Sequence, residues 1–131
     1  MKNKNVIRAK NAPRPVGLYP HARRVGNLLF LSGVGPRQPG TDAIPGTFEG
    51  QCRSVFRNVR VILEAAGSRW DRLVDVTVYL TDMKRDFKTY NRLYAEHFKD
   101  NQPCRTTLGI TSLPTPIAIE LKCIAAAGEE D

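Results

Sequence analysis

Phe48, Cys52, Val55, Val59, Ile62 and Ala66 follow one another at steps of four, three, four, three and four, which is one apolar stripe of an α-helix. Gly67 stands where the stripe ends, a residue free to take the left-handed backbone that closes a helix. The period then drops to two. In Val74-Asp75-Val76-Thr77-Val78-Tyr79-Leu80 the apolar residues alternate with Asp, Thr and Tyr, which predicts a strand with one core face and one mixed face. A helix followed at once by such a strand commits the chain to a layered architecture, because each element has an apolar side to bury on another.

The remaining segments fit around this pair. Residues 1–14 are polar and basic, with Pro13 and Pro15 blocking early secondary structure, and are expected to form a loosely held, flexible arm. Gly17 to Arg24 reads as extended, Val25-Gly26-Asn27 as a tight hairpin turn, and Leu28-Leu29-Phe30-Leu31-Ser32 as a buried strand ending at Gly33. From Gly33 to Gly46 the prolines and glycines exclude a helix or central strand, leaving a long loop that carries Arg37. A second helix opens at or after Asp82 with Phe87, Tyr90, Tyr94 and Phe98 on one stripe, and Pro103 lies past its end. A strand over about 105–110, a Leu113-Pro114-Thr115-Pro116 turn and a strand over 117–126 close the chain. The order β-β-α-β-α-β-β predicts an α+β fold with two helices on one face of a mixed sheet, in a single domain over residues 15–127 with a short tail at 128–131. The other sheet face is partly apolar (Tyr79, Ile124) and partly polar (Thr77, Glu120), the composition of a subunit interface.

Several function classes are disfavoured. No apolar run approaches the roughly 20 residues that span a bilayer, and the polar start is no secretory signal, so the cytoplasm is the expected compartment. Cys52, Cys104 and Cys123 form no CxxC pair and are expected as reduced thiols. The net charge of +7 is scattered, which argues against nucleic acid as a partner; Arg53, Arg57 and Arg60 predict a solvated helix face, with anion attraction as the lesser reading. His21 and His97 are the only histidines and no Cys/His cluster accompanies them, so no metal is expected. Ser32 lacks a Gly-x-Ser-x-Gly elbow and reads as a hydroxyl satisfying nearby backbone.

Arg105 follows Pro103-Cys104 at the start of one strand, and Glu120 sits fifteen residues later between Ile119 and Leu121 in the next. Two adjacent strands would aim both charges into one pocket, where the planar guanidinium suits a substrate carboxylate. Strand alternation puts Glu120 opposite its apolar neighbours, so it is solvated, paired with Lys122 or Arg105, or catalytic. Tyr19, Tyr90 and Tyr94 read as core or as pocket walls.

At Gly17-Leu18-Tyr19-Pro20-His21, Leu31-Ser32-Gly33, Asn58, Glu64-Ala65-Ala66-Gly67, Tyr90-Asn91, Tyr94, Pro103-Cys104-Arg105-Thr106 and Ile119-Glu120-Leu121-Lys122 the chain resembles the RidA (YjgF, reactive intermediate deaminase) family. Tyr19-Pro20-His21, Arg23-Arg24, Arg37-x-Pro39 and Arg105-Thr106-Thr107 look most like its 2-aminomuconate deaminases. The resemblance implies a chorismate-mutase-like fold, a homotrimer with active sites in clefts between subunits, and hydrolysis of imine or enamine carboxylates with no cofactor. It implies that Arg105 binds the substrate carboxylate, that Glu120 positions the hydrolytic water, and that Tyr19, Ser32 and Asn91 line the pocket. Many members have cysteine two residues after the arginine; here it is Thr107, which keeps the backbone groups as substrate contacts but removes thiol chemistry. For a dicarboxylic substrate a second cation is expected, with Arg37 the first candidate and His21 the second. A broad 2-iminobutanoate/2-iminopropanoate deaminase is the alternative, and an RNA-directed translation inhibitor or ribonuclease, as some members are described, is a more distant one.

Overall fold

The computed structural model describes residues 3–128; apart from Gly128, the expected C-terminal tail lies outside them. Six strands and two helices form in the order β1 (Val6–Ile7), β2 (Ala22–Val25), β3 (Leu28–Leu31), α1 (Phe48–Ala65), β4 (Leu73–Leu80), α2 (Met83–His97), β5 (Cys104–Gly109) and β6 (Ile119–Ala126). The sheet runs β1-β2-β3-β6-β4-β5, antiparallel throughout except for the parallel pair β4 and β5, which α2 connects as a crossover. This is the α+β layering expected from the sequence.

Local chemistry sets the element ends. The Thr47 side chain accepts a hydrogen bond from the Gly50 amide and starts α1, and the Asp82 carboxylate accepts from the Arg85 amide and starts α2. Gly67, at φ 77°, turns the chain out of α1 as anticipated, and Gly26, at φ 59°, makes the β2–β3 turn. The α1 stripe of Cys52, Val55, Val59 and Ile62 is buried against Leu121, Cys123 and Ala125 of β6 and Val76 and Val78 of β4, the centre of the core. Each such aliphatic side chain contributes roughly 1.5–3 kcal/mol on burial.

Two expectations are corrected. The strands carrying Arg105 and Glu120 are not neighbours, because β4 lies between them. The reason is burial. Ile119, Leu121, Cys123 and Ala125 of β6 are fully buried and demand a central position, whereas every residue of β5 is exposed or half-exposed, as an edge strand permits. The arm, in turn, is docked over its described part. Val6–Ile7 pairs with β2, and Ala9 and Ala12 are buried. His21 holds it: the Ala9 amide donates to Nδ1 at 2.9 Å, and Nε2 donates to the Pro13 carbonyl at 2.8 Å.

The long loop is held just as firmly. Asn58 on α1 donates to the carbonyls of Gly35 and Arg37, Ser54 donates to Pro36, and Gln51 donates to the Pro45 carbonyl while accepting from the Ala118 amide. Buried Gln51 and Asn58 thereby exchange water for the backbone of a segment with little regular pairing of its own.

Candidate active site

The sequence-derived site residues divide into two groups on opposite faces of the sheet. In β5, Arg105 and Thr107 sit beside Val76 and Val78 of β4, whose side chains are in the core, so both point to the helix side. Glu120 pairs with Tyr79, one residue out of phase with Val78, and points to the open side.

Arg105 is seated on α2. One guanidinium nitrogen donates to Asn91 Oδ1 at 2.7 Å, and the group stands 4.7 Å from the Tyr94 ring centre, 5.8 Å from Tyr90 and 5.9 Å from Phe87. Three ring faces and one amide fix the fork without a carboxylate, leaving its other donors for a ligand. Beside it runs an open groove of about 610 Å³ between α2 and β5, lined by Met83, Lys84, Phe87, Lys88, Arg105 and Thr107. Thr107 Oγ1 is shielded from solvent and has no hydrogen-bond partner among the described residues, an unmet requirement beside the guanidinium.

On the open face, Glu120 lies against the backbone of Gly33: a Cβ there would come within 2.9 Å of the carboxylate. Any other residue at position 33 would push it away. Among the described residues Glu120 pairs with neither Arg105 nor Lys122, whose ammonium donates instead to the Leu31 carbonyl. Half-buried and unpaired, the carboxyl has its pKa raised above the ordinary 4.5 by loss of hydration. Tyr19, Ser32, His21 and Arg37 gather around a separate cavity of about 40 Å³, which Gly33 and Ile62 of α1 also line and Glu120 does not. Ser32 Oγ donates to the Pro20 carbonyl at 2.7 Å, which fixes the segment carrying Tyr19.

Comparison with known proteins is decisive at this point, since the family model described as Endoribonuclease L-PSP matches residues 9–127. The chain belongs to the Endoribonuclease L-PSP (RidA/YjgF/RutC) family. Among relatives of this L-PSP chain, a RutC family protein of Pyrococcus horikoshii is 42% identical over 93% of this chain and 97% of its own length. The chloroplastic Reactive Intermediate Deaminase A of Arabidopsis thaliana is 37% identical over 93% of this chain and 65% of its own. Among solved structures, RidA from an Antarctic Psychrobacter superposes with a TM-score of 0.88 at 31% identity, covering 92% of this chain and 98% of that one. The YjgF gene product of E. coli gives 0.84 at 33% identity, covering 92% and 97%.

Two candidates in this L-PSP chain are already occupied. Arg37 is ion-paired with Asp42 at 2.8 Å and donates to the Arg14 carbonyl, which engages two of its five donors, and both His21 nitrogens hold the arm. Tyr90 and Tyr94 read as core or pocket walls in the sequence and serve as walls under Arg105; sequence reasoning missed Phe87 and the two groove lysines. Phe87 and Tyr94 sit on the stripe that reads as core, but Lys84, Phe87, Lys88 and Asn91 follow an i, i+3, i+4, i+7 pattern that places them together.

Proposed function

We propose that the chain is a hydrolytic deaminase of imine and enamine carboxylic acids, with 2-aminomuconate as the specific substrate its motifs favour. The observation that carries this reading is the seating of Arg105: a fork held by rings and Asn91, with donors left over beside a groove, suits an anionic substrate. The name of the Arabidopsis relative supports the reaction class.

The substrate carboxylate rests on Arg105, which brings the neighbouring C=N carbon to a fixed position. An enamine substrate reacts as its imine tautomer. Glu120 takes a proton from water as the oxygen attacks that carbon and returns it to nitrogen, giving a carbinolamine; the hydroxyl proton then passes to nitrogen as the C–N bond breaks, so ammonia leaves and a 2-oxo acid remains. The raised pKa of Glu120 strengthens it as a base. Arg105 and Glu120 face opposite sides of one sheet, which supports a site completed by two copies of the chain, as in a homotrimer with clefts between subunits. The open face offers Leu28 and Phe30 as apolar contacts, and Leu18, beside Tyr19, is fully exposed. An RNA-directed role finds less support: Arg53 is paired with Glu49, Arg57 bonds Asn58 and Arg60 covers Trp70, so the helix arginines are engaged within the fold.

Ammonia release from enzymatically generated 2-aminomuconate and from 2-iminobutanoate tests the reading. Arg105→Ala and Glu120→Ala are each expected to lower kcat/KM by at least about a hundredfold. Wild-type rates in both variants would overturn the mechanism. Preference for 2-iminobutanoate would favour the broad deaminase instead.

A further inference from the structure

The groove beside Arg105 contains more positive charge than the fold requires. Lys84 and Lys88 are exposed on α2 one turn apart, and among the described residues neither forms an ion pair. Their positions carry two costs. Like charges four residues apart repel, and Lys84, the second residue of α2, lies at the helix end where the peptide dipoles disfavour a cation. The acidic residues of this helix offer no relief: Asp82 caps it, Asp86 is bonded to Arg85, and Glu96 faces Arg53 and Arg92. Among the described residues no carboxylate lines the groove, whose remaining walls are Phe87, Met83 and Thr107. Asn91, which fixes Arg105, continues the same stripe, roughly 4.5 Å beyond Lys88 and 10.5 Å beyond Lys84 along the axis.

We propose that Lys84 and Lys88 form a second anion subsite, and that the substrate is a short dicarboxylate spanning from Arg105 to these lysines across Phe87. This rests on the deaminase reading above and deepens it by assigning the residues that would hold the substrate's second carboxylate. It also moves the distal cation away from Arg37, whose charge is paired with Asp42, and from His21, whose two nitrogens are engaged within the fold.

The test is calorimetric binding of 2-oxoglutarate and 2-oxobutanoate, unreactive acids that differ in the distal carboxylate, to the wild type and to a Lys84→Gln/Lys88→Gln variant. Both lysines are exposed, so the variant keeps the fold. Expected is a loss of roughly fivefold to tenfold in affinity for 2-oxoglutarate, with 2-oxobutanoate unchanged and Lys84→Arg/Lys88→Arg restoring the difference. Equal losses for the two acids, no loss for either, or failure of the wild type to bind 2-oxoglutarate would each overturn the subsite. Lysine-dependent diacid binding without ammonia release from any imino acid would leave the subsite standing and remove the deaminase.

Discussion

Glu120 holds an ionisable group where the fold would be better served by a neutral one. Its folded pKa lies above the unfolded value because half-burial removes water from the carboxylate without supplying a partner. Between those two values the folded state binds more protons than the unfolded chain, so stability falls as pH rises through the folded pKa, and the penalty is fully present above it. Glu120→Gln keeps the shape and removes the charge. Its melting midpoint is expected to exceed that of the wild type at pH 8 and to converge with it near pH 4, while deaminase activity is lost at every pH. Thermal unfolding across that range checks the sign; a variant less stable at pH 8 would show that the carboxylate has a favourable partner. Gly33 belongs to the same account, because its missing side chain is what lets the carboxylate lie against the backbone.

At the scale of elements, the arm and the long loop are fixed by polar side chains. His21 is placed to use both ring nitrogens at once, accepting from Ala9 and donating to Pro13, and so fixes the segment that leads to Tyr19. His21→Ala leaves the amide of buried Ala9 without its acceptor and is expected to cost about 2 kcal/mol in denaturant unfolding, whereas His21→Gln, with one acceptor and one donor, should recover part of this. Equal losses in the two variants would mean that ring packing, and not hydrogen bonding, holds the arm. Such contacts are poorly legible in sequence. The α1 stripe, the alternation in β4 and the Gly67 stop could be read because periodicity encodes burial along one element. Val6–Ile7 is too short and too flanked by charge to show a period, and it becomes a strand only because β2 offers an edge. The insertion of β6 between β3 and β4 is a long-range choice, so the sequence pointed to Arg105 and Glu120 as a pair without showing that they face apart. Lys84 and Lys88 gain meaning only once β5 lies alongside α2.

At the scale of the whole molecule, the proposed site, with Arg105 and Glu120 on opposite faces of one sheet, would need a working unit larger than the chain. Neither face alone presents both an anchor and a base. In the proposed assembly each chain would give its guanidinium to one cleft and its carboxylate to another, so two defects in different chains need not meet. Arg105→Ala and Glu120→Gln subunits, each inactive by itself, should therefore complement when unfolded together and reassembled: with random mixing in equal amounts, about a quarter of the clefts receive an intact arginine from one chain and an intact glutamate from its neighbour. Ammonia release at about that fraction of the wild-type rate is the expected result, and silence from a well-mixed assembly would place both groups in one subunit's cleft. Under such an arrangement some pairs of loss-of-function alleles of this protein would complement each other, a genetic property set by which way two side chains point from their strands.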